Sequence, residues 1–358
     1  MSPRISAPAL ALALPLSLLL TLATVRAAAP ASVIAPAAAG APPVSAPAPA
    51  TPAMRVLTNV TYLAPDRAEK LDVYLPEGRA LGVKSPALVW IHGGSWIGGD
   101  KGEARAKEIC GTLAGAGYVA VSINYKLGAV WPEALLDCKN AVRFLRVHAE
   151  EYGIDPDRIA VGGGSAGGHL ALMVGFTTDL DKSGLEPNAP YPGVSNAVRA
   201  ILDLYGPANL VLPPASGGTD PFPGMRKVIA DSQAVWKGAP VLFGGPSVAT
   251  GDPAKHAEAF SRAALRNASP TGFAAKGKPP VLIFHGQADP TVEFSQSIEL
   301  DKVLTERGVE HEFVPLEGVG HSFDFEIAVP ADGKPKLPRD LRPVALAFLA
   351  KHVAPKAK

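Results

Sequence analysis

Gly163-Gly164-Ser165-Ala166-Gly167 is the stretch of sequence that decides the fold. It matches G-x-S-x-G and lies between the segment 158–161, which predicts a short buried strand, and the segment 169–174, which predicts a buried helix. A serine at such a junction sits on a turn so tight that side chains on the flanking glycines would clash. The turn exposes the Ser165 hydroxyl at the edge of a sheet, where the helix N-terminus favours negative charge.

The composition of the 358-residue chain is that of a globular protein with a sizeable core. Apolar residues make up 47% and charged residues 19%, which is enough apolar content for one large domain. The net charge of +1 provides no basic surface to attract nucleic acid. No histidine or cysteine spacing resembles a zinc site and no glycine-rich loop carries a phosphate-binding lysine, so we expect neither metal nor cofactor.

The first 53 residues differ in composition from the rest of the chain. Arg4 precedes an almost wholly apolar run at 8–24, and small residues follow at 27–29, which predicts a signal peptide over 1–27. The protein would then be secreted or periplasmic, without stable membrane insertion after cleavage; the alternative is that this segment is retained as an anchor. Residues 28–53 are mostly alanine and proline and predict a disordered linker.

Apolar runs of strand length alternate with helical patterns from about residue 54 onward. This alternation predicts a mostly parallel sheet covered by helices on both faces. The region 206–279 interrupts the rhythm with many prolines and glycines, apart from a helical patch at 254–265. The predicted strands are 56–63, 71–75, 87–91, 119–123, 158–161, 198–204, 281–284 and 312–316, and the predicted helices are 101–116, 132–152, 169–174, 294–307 and 341–352.

Two polar segments follow predicted strands downstream of Ser165. One is His285-Gly286-Gln287-Ala288-Asp289, and the other is Gly320-His321. A serine hydroxyl needs an adjacent base, usually a histidine that is held by a carboxylate. We therefore predict Ser165 as nucleophile, His321 as base and Asp289 as acid, with Glu293 as the nearby rival and a helix N-cap as the alternative role of Asp289.

A third segment, His92-Gly93-Gly94-Ser95-Trp96, follows the third predicted strand. Its glycines let backbone N–H groups approach a substrate oxygen, so we predict an oxyanion hole formed by Gly93, Gly94, Ser95 and the N–H of Ala166. The alternative is an ordinary β-turn. His169 and His285 lie on buried elements, which favours packing or hydrogen-bonding roles for both.

These segments, with Tyr205-Gly206-Pro207 and Ala268-Ser269-Pro270, fall in the order seen in esterases of the α/β-hydrolase fold. Over 55–353 the chain resembles the hormone-sensitive-lipase-like and bacterial feruloyl/acetyl-xylan esterase-type (BD-FAE-like) carboxylesterases. The resemblance implies an α/β-hydrolase catalytic domain at 54–358, with 206–279 as an irregular cap. It also implies cofactor-free hydrolysis of a small-molecule or polysaccharide ester. Many relatives have a third glycine at the position of Ser95, so the donor among Gly93, Gly94 and Ser95 stays open.

Two other functions remain as alternatives at this stage. His-Gly-Gly-x-Trp is also similar to the pattern of kynurenine formamidases, and amide hydrolysis by a formamidase-like or peptidase-like enzyme uses the same residues. A non-catalytic binding protein on the same fold is the third possibility. The hydrolase topology further predicts that Cys110 and Cys138 lie on opposite faces of the sheet as free thiols. The sequence leaves the oligomeric state open.

Overall fold

The computed structural model of the protein describes residues 54–78, 82–129, 131–178, 190–211, 262–325 and 337–353. The predicted signal peptide and linker lie outside these residues, as does the part of the predicted cap at 212–261. Within the described ranges, no helix combines the length and the apolar character needed to cross a bilayer.

An eight-stranded sheet forms the centre of the protein, in the order β1-β2-β4-β3-β5-β6-β7-β8. Strand β2 runs antiparallel to its neighbours β1 and β4, and all the other pairs are parallel. The strands are β1 Met54–Val60, β2 Leu71–Pro76, β3 Ser85–Ile91, β4 Val119–Ile123, β5 Ile154–Gly164, β6 Ile201–Leu204, β7 Val281–Gly286 and β8 His311–Leu316.

Helices cover both faces of this sheet. They are α1 Ala104–Gly115, α2 Glu133–Val147, α3 Ala149–Tyr152, α4 Ala166–Phe176, α5 Arg262–Asn267, α6 Ser295–Glu306 and α7 Arg342–His352, with a 3₁₀ turn at Pro270–Gly272. This architecture agrees with the predicted α/β-hydrolase fold.

The core divides into two apolar layers because successive side chains of a strand point to opposite faces. In β3, Val89 and Ile91 belong to the layer that also contains residues of α2, α4 and α6. Leu88 and Trp90 belong to the other layer, which contains residues of α1 and α7. Strands buried on both faces need apolar residues at almost every position, which explains their continuous apolar runs.

The two cysteines confirm this arrangement. Cys110 lies on α1 and Cys138 on α2, in different apolar layers, and both are buried free thiols, as predicted. Burial raises the pKa of each thiol well above its ordinary value, so neither forms the thiolate that reactive cysteines need.

Most element boundaries shift by a few residues from the sequence prediction, and two of the differences have a clear physical reason. The predicted helix at 132–152 is divided at His148 into α2 and α3, and Gly153 ends α3 with φ 64°. Strand β5 begins at Ile154, earlier than predicted, because Ser85 of β3 pairs with Ile154 across the sheet. The helical patch predicted at 254–265 corresponds in its described part to α5.

Candidate active site

The candidate catalytic residues all follow the carboxyl ends of parallel strands. Ser165 comes directly after β5, Asp289 comes three residues after β7, and His321 lies on the loop after β8. Because these strands run parallel, their carboxyl ends meet at one edge of the sheet. That shared edge brings together three residues that are up to 156 positions apart in sequence.

The turn that carries Ser165 is strained and depends on its glycines. Ser165 has φ 57° and ψ −123°, a conformation that costs a non-glycine residue about 1–3 kcal/mol. A Cβ on Gly167 would lie 2.0 Å from the Ile91 carbonyl oxygen, and one on Gly163 would lie 2.7 Å from the same atom. Both glycines are therefore required for β3, β5 and α4 to approach each other closely.

The three predicted residues form one hydrogen-bonded chain. His321 Nε2 lies 3.1 Å from Ser165 Oγ, and His321 Nδ1 lies 2.6 Å from Asp289 Oδ2. Although Ser165 precedes the first residue of α4, its side chain does not cap the helix. The rival acid Glu293 accepts a hydrogen bond from Ser295, and Asp289 is the carboxylate that reaches His321.

Four N–H groups surround the Asp289 carboxylate. Oδ1 accepts hydrogen bonds from the backbone of Thr291 (2.8 Å) and Val292 (3.0 Å). Oδ2 faces Nδ1 of His321 and, at 3.3 Å, Nε2 of the buried His285. Burial by itself would raise the pKa of Asp289, but the hydrogen bonds from His285, His321 and the backbone outweigh it and hold that pKa well below its usual range. The carboxylate is therefore ionised at neutral pH.

The loop that carries His321 is held by contacts from three directions. The buried Tyr205 donates its hydroxyl to the Phe323 carbonyl at 2.8 Å, and its ring packs edge-on against the imidazole of His321 with centroids 4.7 Å apart. Ala288 N–H donates to the Val319 carbonyl at 3.0 Å. Arg105 donates to the Ser322 carbonyl at 3.3 Å. These contacts fix the position of the imidazole relative to Ser165.

The glycine segment after β3 lies directly beside the serine. A Cβ on Gly93 would lie 3.3 Å from the Cβ of Ser165 and 2.9 Å from the Gly164 carbonyl oxygen. Gly94 has φ 109°, and its carbonyl accepts a hydrogen bond from Gly98 N–H at 2.9 Å, which closes a turn. Ser95 has φ 53°, in the left-handed region that glycine adopts without strain. The structure therefore brings Gly93 to the N-terminus of α4 at Ser165, with Gly94 and Ser95 following it in the same turn.

Two buried histidines hold this segment in place. His92 Nδ1 pairs with the Gly93 carbonyl at 2.7 Å, and its ring stacks on Tyr125. His169 accepts the indole N–H of Trp96 on Nδ1 at 3.2 Å and donates from Nε2 to the Ala268 carbonyl at 2.6 Å. Burial lowers the pKa of His169 to about 4, so the ring stays neutral and keeps this tautomer at neutral pH.

Tyr205 and the His285–Asp289 contact are the parts of the site that sequence reasoning missed. Tyr205 belongs to the Tyr205-Gly206-Pro207 segment, but nothing local to that segment reveals its contact with His321. His285 stands four residues before Asp289, and this spacing puts both residues at the end of the same strand. That spacing is the sequence signal that could have indicated their contact. Among the described residues, His, Cys, Asp and Glu side chains form no group of three placed to hold a metal ion.

Comparisons with known proteins identify the family and the fold. The BD-FAE family model matches residues 71–304. Esterase LipQ of Mycobacterium tuberculosis is 26% identical over 275 residues, which cover 76% of this chain and 58% of LipQ. The chain thus spans little more than half of that relative.

Solved structures of esterases have the same fold. Esterase 2 of Thermogutta terrifontis in its propionate-bound form is 27% identical and has a TM-score of 0.60, covering 86% of this chain and 98% of that one. The same enzyme has been solved bound to butyrate and phosphonylated by sarin. A truncated carbohydrate esterase from gut microbiota is 23% identical with a TM-score of 0.65, covering 86% and 99% of the two chains; at that identity the likeness concerns the fold alone.

The family model covers most of the described sheet, from the start of β2 into α6, and includes Ser165 and Asp289. The resemblance inferred from the sequence motifs is confirmed. This chain belongs to the BD-FAE family and has the α/β-hydrolase fold.

Proposed function

We propose that this protein is a serine carboxylic-ester hydrolase with Ser165 as its nucleophile. The observation that carries the proposal is the hydrogen-bonded chain from Asp289 through His321 to Ser165, with Ser165 held on a strained turn at a helix N-terminus. The esterase names of LipQ and of the Thermogutta enzyme support the same reaction class.

The reaction follows from the position of each group. Ser165 Oγ attacks the ester carbonyl carbon while His321 Nε2 takes the hydroxyl proton, and the ionised Asp289 stabilises the resulting imidazolium. The tetrahedral oxyanion is stabilised by the N–H of Ala166 together with N–H groups of residues 93–95. His321 then gives its proton to the leaving alcohol. A water molecule, deprotonated by the same imidazole, hydrolyses the acyl-enzyme and releases the acid.

A fluorophosphonate probe, combined with ester and amide substrates, tests this assignment. The wild-type protein should be labelled covalently and should hydrolyse p-nitrophenyl acetate, whereas Ser165→Ala should do neither. Absence of labelling in the folded wild-type protein would favour a non-catalytic binding protein. Faster cleavage of formamides or peptides than of matched esters would favour the amide hydrolases.

We also propose that the preferred acyl group is short, from acetyl to butyryl. The propionate- and butyrate-bound structures of the Thermogutta esterase support this for a relative. The many prolines and glycines of 206–279 favour a loop-walled, open cleft over a deep acyl tunnel. An open cleft accommodates a bulky alcohol, so acetylated or feruloylated plant polysaccharide is the proposed natural substrate.

Two measurements test this substrate preference: kcat/KM across p-nitrophenyl esters of increasing acyl length, and the release of acetate and ferulate from xylan. A rate that climbs with acyl length, together with no release from xylan, would indicate a lipase.

A secreted or periplasmic location is part of the same proposal, because a polysaccharide substrate lies outside the cell. It rests on the composition of residues 1–27. Cell fractionation with N-terminal sequencing of the mature protein tests it. A mature N-terminus near residue 28 in the exported fraction supports cleavage, whereas an intact N-terminus in the membrane fraction would show a retained anchor.

A further inference from the structure

A second histidine and a second serine extend the hydrogen-bonded chain of the active site behind Asp289. His285, the penultimate residue of β7, has a fully buried side chain, and so does Asp289. His285 Nδ1 lies 2.6 Å from Ser297 Oγ on α6, and Ser297 is also fully buried. The resulting order of groups is Ser297, His285, Asp289, His321 and Ser165.

The neighbours of His285 determine which ring nitrogen carries the proton. Nε2 faces two acceptors, the Val292 carbonyl at 2.9 Å and Asp289 Oδ2 at 3.3 Å. A carbonyl and an ionised carboxylate only accept hydrogen bonds, so Nε2 must be protonated. In the neutral ring Nδ1 is an acceptor, and the Ser297 hydroxyl donates to it.

We propose that Ser297 and His285 form a positioning pair that supplies an N–H donor to Asp289 Oδ2 and holds this carboxylate turned toward His321. The inference rests on the proposed role of Asp289 and His321 in catalysis. His285 touches neither the substrate nor Ser165 in this role; it acts through Asp289.

Of the two Asp289 oxygens, Oδ2 is the one whose hydrogen bonds change when His285 is replaced. The two backbone donors at Oδ1 fix one carboxylate oxygen, while Oδ2 is shared by the two histidines. A donor from His285 draws negative charge on Oδ2 away from the bond to His321. Removing that donor leaves more negative charge facing His321, and this charge stabilises the protonated imidazole.

Charged groups on other elements act on Tyr205, the ring that packs on His321. Tyr205 packs on the imidazole, and burial raises its pKa; Arg105 lowers that pKa, whereas Glu103, Asp324 and Asp289 raise it. Substitutions at His285 and Ser297 leave all of these groups unchanged. A shift of the pH profile in such variants therefore reports on Asp289.

The test compares His285→Leu, which removes the donor, with His285→Gln, whose amide can still donate to Oδ2, and with Ser297→Ala. We expect kcat of His285→Leu to fall on the order of tenfold. The acid limb of its kcat/KM profile for p-nitrophenyl acetate should also move to higher pH by about half a unit. Both effects should be smaller in Ser297→Ala and partly rescued in His285→Gln. The downfield proton resonance of the His321–Asp289 hydrogen bond should shift most in His285→Leu and less in Ser297→Ala and His285→Gln.

His311 on β8 provides a matched control. Its Nε2 pairs with Asp301 on α6 at 3.0 Å, so it is another histidine–carboxylate pair, but it lies at the opposite end of β8 from His321. His311→Gln should leave kcat, the pH profile and the downfield resonance unchanged. Folding of each variant is checked by circular dichroism, which does not depend on the reactivity of Ser165.

Variants that label at the wild-type rate and keep the wild-type acid limb and resonance would overturn the positioning role. The positioning role would also be overturned if the loss of activity in His285→Leu were no larger than its loss of folded protein. Failure of the proposed function is a separate outcome, because it would appear as absence of labelling in the wild-type protein itself.

Discussion

Replacing Asp289 by asparagine exchanges one carboxylate oxygen for an NH₂ group, and the structure dictates which oxygen is exchanged. Oδ1 accepts two backbone N–H groups, from Thr291 and Val292. An NH₂ group would face two donors at either position, but the backbone N–H groups at Oδ1 cannot change. His321 can change its tautomer, and His285 Nε2 can donate to the Val292 carbonyl alone, so the amide oxygen of an asparagine takes the Oδ1 position. The NH₂ group is consequently directed at Nδ1 of His321, 2.6 Å from the present Oδ2 atom.

This orientation reverses the tautomer of His321. Nδ1 becomes an acceptor, the proton moves to Nε2, and Nε2 then points an N–H at Ser165 Oγ instead of a lone pair. Loss of the charged hydrogen bond alone would cost about 1.5–3 kcal/mol. Removal of the general base raises the expected loss to about 10⁴ in kcat, which corresponds to about 5.5 kcal/mol.

The assay is kcat for p-nitrophenyl acetate at pH 7.5, with circular dichroism to confirm folding. Glu293→Gln is the matched control and should leave kcat within about twofold, because the carboxylate that bonds His321 is Asp289. Retention of more than about a tenth of the wild-type kcat by Asp289→Asn would refute the tautomer argument. A large loss in Glu293→Gln would instead move the catalytic acid to that residue.

Three further substitutions test other parts of the site. Ser165→Ala should lower kcat by about 10⁶ without loss of circular dichroism signal, because Ser165 Oγ is the hydroxyl that bonds His321 Nε2. Asp203→Asn should raise Tm at pH 7.5 and leave Tm near pH 4 unchanged. Burial raises the pKa of Asp203 to about 8, so the folded protein keeps a proton that the unfolded chain releases above about pH 3.9, and stability falls as pH rises through this window. Ser95→Gly should keep kcat and increase the free energy of unfolding by up to about 1 kcal/mol in denaturant titrations, because φ is 53° at this position.

The parts of the fold that sequence reasoning predicted correctly are those with strong local signals. Apolar runs placed the strands within a few residues, since strands buried on both faces need apolar residues throughout. The order of the serine, acid and histidine segments predicted which side chains meet, because each segment follows a parallel strand. The free thiols of Cys110 and Cys138 followed from the same topology.

Contacts between distant segments outside this triad could not be predicted in this way. Nothing near Tyr205 indicates that its hydroxyl reaches Phe323, 118 residues away. The sequence around His169 indicated only that this residue lies on a buried helix. Its hydrogen bond to Ala268 spans 99 residues. Such contacts depend on how loops fold over the sheet edge, which local periodicity does not record.

The strained backbone conformations of the site could not be predicted from the sequence either. Residues other than glycine rarely adopt positive φ, so propensity rules predict against it. Of the six non-glycine residues with positive φ in the described part of the chain, one is the proposed nucleophile Ser165 and four lie on the segments around it, at Ser95, Trp96, Tyr205 and Ser322. Each lies directly after a strand end or on the loops that support His321 and the glycine segment. Strained backbone is thus concentrated at the edge of the sheet where tight turns bring the proposed nucleophile and base together.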